Sequence, residues 1–193
     1  MVRIQLGRYN TLKVVRKAYK HTGAKVGEKE EFGLFLDGGD DGEILMPGKY
    51  VPDGTEIGDE ITAFVYLDQE ERPIATTEKP LAQTGEFAFL ECSWVNQYGA
   101  FLDWGVTKNL FCPFREQKRK MEVGESYIVY VHVDDESYRL VASAKVDKFI
   151  SAITGEDMKK YHHGTKVGLL IWQKTDLGFK VIIDNKFGGL IYD

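Results

Sequence analysis

The chain has 193 residues, 43% of them hydrophobic and 28% charged, with a formal net charge of −5. That length allows one or two domains, the composition is globular rather than disordered, and no apolar run is long enough to span a bilayer. Taken alone, the acidic total argues against a nucleic-acid partner, and "MVRIQLGRYN" lacks the apolar core of a secretory signal, so a cytoplasmic location and no membrane partner are expected. Two cysteines, Cys92 and Cys112, are too few for a disulfide framework and read as reduced and buried. There is no Cys-x-x-Cys, and His162-His163 sits beside Gly164 in an expected turn, so neither a metal nor a cofactor is expected.

The charge is uneven along the chain. Residues 1–29 carry Arg3, Arg8, Lys13, Arg16, Lys17, Lys20, Lys25 and Lys29 against Glu28 alone, and residues 30–71 are strongly acidic. A second basic cluster, "REQKRK", spans residues 115–120. Fields decay within about 10 Å at cell-like salt, so an acidic total leaves room for a basic face.

The first predicted elements are strands at residues 11–20, 32–37, 43–47, 60–68 and 72–77, short and rich in Val, Ile, Phe and Tyr, with Gly and Asp turns between them. The turn "DGGDDG" at 37–42 is acidic, but it lacks the twelve-residue spacing and closing Glu of a calcium loop. After "EKPLAQTG" at 78–85 the pattern starts again, with strands at 86–94, 99–103, 109–113, 126–134 and 138–143. "GLFLDGGDDGEILMP" matches "GAFLDWGVTKNLFCP", "EIGDEITAFVYLD" matches "EVGESYIVYVHVD", and "RPIATT" matches "RLVASA"; 66 positions separate Gly33 from Gly99. Five antiparallel strands per repeat predict an all-β fold of tandem five-stranded OB-type barrels. The boundaries are 1–79 for the first barrel and 86–145 for the second, folding as separate units with some packing between them. Residues 146–165 form a linker with a short helix at 146–151. A third barrel begins at 166–193, with strands at 166–174, 178–184 and 187–192, and is truncated. Its apolar edge is then expected to be exposed, the chain being a fragment or another chain covering it.

Each repeat writes aromatic-Gly-x-Phe-Leu at the start of its second strand. A bulge at Gly33 and at Gly99 would shift the register by one and turn Phe32 and Phe35, or Tyr98 and Phe101, to the exterior together. Such rings are platforms for unpaired bases. The alternative is that they are core or cap the barrel end.

This order of residues, followed by a strand ending at Pro47 or Pro113 and a late Arg, resembles the S1 RNA-binding domain. The resemblance implies an RNA face of Phe32, Phe35, Asp68 and Arg72 in unit one, and of Tyr98, Phe101, Asp134 and Arg139 in unit two. A strand-three His of that family falls on Met46 and on Cys112, both departures. In the third unit the aromatic positions fall on Leu177 and Lys180 and the His position on Tyr192. Unit two is favoured as the binding unit because Lys108, Arg115, Lys118, Arg119 and Lys120 lie near it in sequence, Lys118 and Arg119 being counted with the RNA-binding residues. Asp134 is expected to orient Arg139. The wording of the tandem units is similar to the conserved virulence factor B family of bacterial proteins, which implies three S1-like units followed by a winged helix. The functional expectation is non-catalytic binding of single-stranded RNA in post-transcriptional regulation; a nucleophile elbow, a P-loop and a Cys-His pair of recognisable spacing are absent from the sequence. Two alternatives stay open. One is a protein-interaction scaffold using the same faces. The other is a DNA- or RNA-directed regulator whose specificity lies in a C-terminal winged helix.

Overall fold

The computed structural model of the chain describes residues 3–21 and 29–193; the basic-segment residues Lys25 and Glu28 lie outside the described residues. The fold is nearly all-β. Strands β1 (Arg8–His21), β2 (Lys29–Asp37), β3 (Glu43–Pro47), β4 (Glu60–Leu67) and β5 (Pro73–Thr76) close a barrel in the order β1-β2-β3-β5-β4. Strands β6 (Phe87–Val95), β7 (Gly99–Leu102), β8 (Leu110–Pro113), β9 (Ser126–Val133) and β10 (Leu140–Ser143) close a second, in the order β10-β8-β7-β6-β9. In each barrel the third and fifth strands meet in parallel, at Leu45–Ile74 and Phe111–Val141, and the other pairings are antiparallel. Strands β11 (Leu169–Thr175), β12 (Gly178–Ile183) and β13 (Phe187–Tyr192) form an open three-stranded sheet. The helix expected at 146–151 is a single 3-10 turn, Val146–Lys148, because the chain bends there to lay Phe149 and Ile150 on the second barrel.

Alternating residues fill the barrels. Val14, Leu34, Leu36, Ile44, Met46 and Val65 form the first interior, and Leu90, Cys92, Leu102, Leu110, Cys112, Val129 and Val131 the second. β4 is buried on both faces. Ile61, Ala63 and Val65 point into barrel one, while Phe64 and Tyr66 join the core of barrel two. Phe64 meets Trp104 edge to face at 5.4 Å, so the barrels close separately but share a core. The third sheet docks on barrel two through Ile182, Leu170 and Trp172, and the Asn185 amide accepts from Phe87 N at 2.6 Å and donates to Phe87 O at 2.7 Å. Its docked face is covered, whereas Leu169, Ile171, Ile191 and Tyr192 remain exposed.

The bulge expected at Gly33 is present beside it, at Phe32 in the β1–β2 pairing, which leaves that ring 36% exposed, whereas none lies at Gly99. β2–β3 and β7–β8 keep regular register through Gly33 and Gly99. A further shift recurs in the first strand of each repeat, at Val15, Ser93 and Trp172. The glycines serve close approach. A Cβ on Gly33 would collide with the Met46 carbonyl, and one on Gly99 with the Cys112 carbonyl and, at 2.9 Å, with both the Phe111 ring and Pro113 Cα. Gly178 meets Ile191 O in the same way. One backbone crossing is thus written three times, and no side chain fits at it.

Candidate functional site

The register shift in β6 decides the site. Ala88, Leu90 and Cys92 alternate into barrel two, and strict alternation would bury Trp94 as well. The extra residue at Ser93 turns Trp94 outward, 46% exposed, opposite Phe101. The two rings lie parallel, 3.7 Å apart at 1°. On the other side Phe101 meets Phe111 at 5.0 Å. Phe111 faces Phe101 across β7–β8 and sits between buried Leu110 and Cys112, so alternation turns it outward. The outcome is a row of three rings across β6, β7 and β8, with Tyr98, 66% exposed, at its edge.

Two sequence expectations change here. Met46 and Cys112 are fully buried, so a His at either position would lie inside the barrel; the outward strand-three positions beside the aromatics are Leu45 and Phe111. Phe101 has rings on both sides and is the middle of the row, leaving Trp94 and Tyr98 with the open surfaces. Trp94 was legible only by knowing the register shift, whereas the alternation of "LFCP" was enough to find Phe111.

The row borders a cleft of about 420 Å³ between the barrels, lined by Tyr98, Phe101 and Phe111 from barrel two and by Tyr66 and Leu67 from barrel one. Arg139 stands at this cleft. It does not meet the Asp134 side chain. That carboxylate instead takes Arg115 Nη2 at 2.7 Å and the Ser137 hydroxyl at 2.7 Å. Ser137 foremost, with help from Arg115 and against burial, holds Asp134 below the usual carboxylate range. Arg139 reaches across to Glu71 of barrel one at 3.7 Å, and Lys108 joins the same carboxylate at 3.2 Å while donating to Asp68 O at 2.7 Å. Lys118 and Arg119 are not part of this cluster; they line a groove between barrel two and the third sheet.

Barrel one carries the same framework with other chemistry. Arg16 occupies the position of Trp94, with its guanidinium 4.0 Å from the Phe35 ring centroid, and Leu45 occupies that of Phe111. Arg16 is bound bidentately by Glu43, and Arg72 is taken by Asp68 at 2.8 Å and Glu70 at 2.9 Å. Phe32 is 36% exposed beside this face. Among the described residues no cluster of three or more His, Cys, Asp or Glu is placed to hold a metal.

A profile of the S1 domain matches residues 20–78, most of the first barrel. The chain is 33% identical over 85 residues to the uncharacterized protein YitL of Bacillus subtilis (strain 168), an alignment covering 44% of this chain and 28% of that protein. Its fold is similar to the crystal structure of a multidomain protein with nucleic acid binding domains from Streptococcus pneumoniae TIGR4, with a TM-score of 0.56 and 14% identity. That match covers 97% of this chain and 62% of the other, so the chain spans less than two thirds of both proteins it resembles.

Proposed function

We propose that this chain binds single-stranded RNA without catalysis, through the aromatic row of barrel two. The observation that carries the reading is the parallel Trp94–Phe101 pair continued by Phe111 on the exterior of a barrel, with Tyr98 beside it. Open aromatic faces in that position offer stacking to any unpaired base. Arg139 and Lys108 at the adjoining cleft share the single carboxylate of Glu71, so the pair keeps one net positive charge for the phosphates. The S1 profile over barrel one and the nucleic acid binding domains named for the Streptococcus pneumoniae relative support the same class of ligand. The resemblance to the conserved virulence factor B family extends the reading to post-transcriptional regulation.

The test is a titration of labelled unstructured RNA against wild type, Trp94→Ala and Tyr98→Ala. Trp94→Ala is expected to cost about 1–3 kcal/mol of binding. Arg139→Ala is expected to flatten the salt dependence by about one unit. Folded Trp94→Ala and Tyr98→Ala proteins that both bind like wild type would overturn the proposal.

A second reading applies to barrel one. Its Arg16 and Arg72 are already neutralised by Glu43, Asp68 and Glu70, so the face of Phe32 and Phe35 suits a protein partner better than a phosphate chain. Capture of a protein at that face would be insensitive to salt, unlike RNA binding.

A further inference from the structure

We propose that the groove between barrel two and the third sheet is a second binding site for single-stranded nucleic acid, centred on Trp172. The proposal rests on the nucleic-acid reading above but uses different residues. Trp172 is the bulged residue of β11, at the place taken by Val15 and Ser93 in the other repeats. Its ring collects cations from two separate elements: Lys118 Nζ lies 4.7 Å from the centroid and Lys180 Nζ 5.4 Å. Arg119 stands 5.7 Å from the neighbouring Tyr127 ring. Phe89, on the same groove wall, is 61% exposed. The groove has a volume of about 430 Å³, within the range of small-ligand sites.

The loop that presents the cations is held rigidly from below. Gln117 is 9% exposed; its amide donates to Cys112 O at 3.0 Å and accepts from Met121 N at 3.0 Å. Glu116 takes the Ser143 hydroxyl at 2.5 Å, and Glu116 O accepts from Ala144 N at 2.9 Å. Lys118 and Arg119 therefore stand on a fixed backbone, and binding has only their side chains to order. Lys118 also pairs with Asp147 at 3.0 Å, but both side chains are about half exposed, and such pairs are weak and exchangeable. Aromatic faces alternating with cations match a ligand that alternates flat bases with phosphates. An acidic peptide would use the cations and leave Phe89 and Trp172 without a ring to stack on.

The three tryptophans make the test selective. Trp104 is 2% exposed but lines the cleft beside the row, so quenching in W94F is assigned to Trp172 and the groove through its dependence on Lys118 and Lys180. Oligouridine is titrated against W94F and W172F proteins while tryptophan fluorescence is followed. Quenching is expected in both. In the W94F background, adding Lys118→Gln and Lys180→Gln should weaken the quenching several-fold and lower the salt slope by about two units, with the melting curve unchanged because both cations are exposed. Quenching in W172F but not in W94F overturns the groove and leaves the aromatic row standing. Quenching in W94F but not in W172F overturns the row instead. Quenching in W94F that the two glutamines leave unchanged also overturns the groove, since its cations would then do nothing.

Discussion

Gly99 is fixed by what lies opposite it. Its φ is not in the left-handed region, so another residue could adopt its backbone conformation, yet a Cβ there meets the Cys112 carbonyl and, at 2.9 Å, the Phe111 ring and Pro113 Cα. Two of these three obstacles are backbone and can move only if β7 and β8 separate. Gly99→Ala is therefore expected to cost about 1–3 kcal/mol in urea unfolding, as overpacking does. Gly155, whose added Cβ has nothing within 4 Å, is the control, and Gly155→Ala should change stability by less than about 0.5 kcal/mol. Equal effects at the two positions would remove close approach as the reason for the repeated glycine. Cys112 obeys the same interior. Burial penalises its thiolate and pushes the pKa up to about 12, so at pH 8 the folded protein carries a protonated, inaccessible thiol. Labelling of Cys112 by a thiol reagent should proceed no faster than exchange of the core amides of β8. Rapid labelling would mean that the barrel opens locally at β8.

At the scale of elements, the turns after β4 and β9 are each organised by one aspartate. Asp68 is pulled up by burial, but the Arg72 N–H, the Arg72 guanidinium and the Glu70 N–H outweigh this and hold it below the usual range. Asp134 is lowered chiefly by Ser137. Both carboxylates have depressed folded-state pKa values. Their stabilisation is present above the unfolded value of about 3.9 and is lost as pH falls through the lower folded values. Amide exchange at residues 135–138 should thus accelerate in acid, and Asp134→Asn should make the turn loose already at neutral pH while flattening that dependence. An unchanged acid profile in Asp134→Asn would place the aspartate outside the turn's stability.

The elements themselves were legible because Gly and Asp turns punctuate short β-branched and aromatic runs. Residues 43–47 and 187–192 were bounded as β3 and β13 are, and the repeat located the barrels. The site was legible only in part. Period-two reasoning finds Phe111 but misplaces Trp94, since one extra residue at Ser93 inverts every position after it. At Gly33 a bulge and a close backbone approach coincide, but at Gly99 only the close approach is present, and the two leave the same mark in a sequence because both favour glycine. The Arg139–Glu71 contact joins two repeats across a closed barrel, and no local pattern encodes it.

Across the whole molecule, the two barrels are tied by one aromatic cluster more than by their connecting segment. Phe64 projects from the outer face of β4 and is nevertheless fully buried, with Trp104 on one side at 5.4 Å and Tyr9 at 5.8 Å. Trp104 donates its indole N–H to Lys108 O at 2.7 Å, which holds the segment that delivers Lys108 to Glu71. One polar contact repeats the connection, the Tyr50 hydroxyl with the Thr107 hydroxyl, while Thr107–Glu78 and Arg8–Thr84 pin the connecting segment to one barrel each. A first barrel unfolding alone would expose Phe64, Tyr66 and Trp104 together, so the barrels should melt in one transition. Trp104→Ala should cost about 3–5 kcal/mol, the range for truncating a buried aromatic. The distribution of that loss is the informative part. Protection should fall in β4 of barrel one as well as in β7 and β8 of barrel two, and RNA affinity should drop with it, because Lys108 and Arg139 lose their fixed distance from Tyr98. Amide exchange resolved by residue on the Trp104→Ala protein reads this directly. Loss of protection confined to barrel two would mean that barrel one carries its own stability and that the shared core is a contact between independent units.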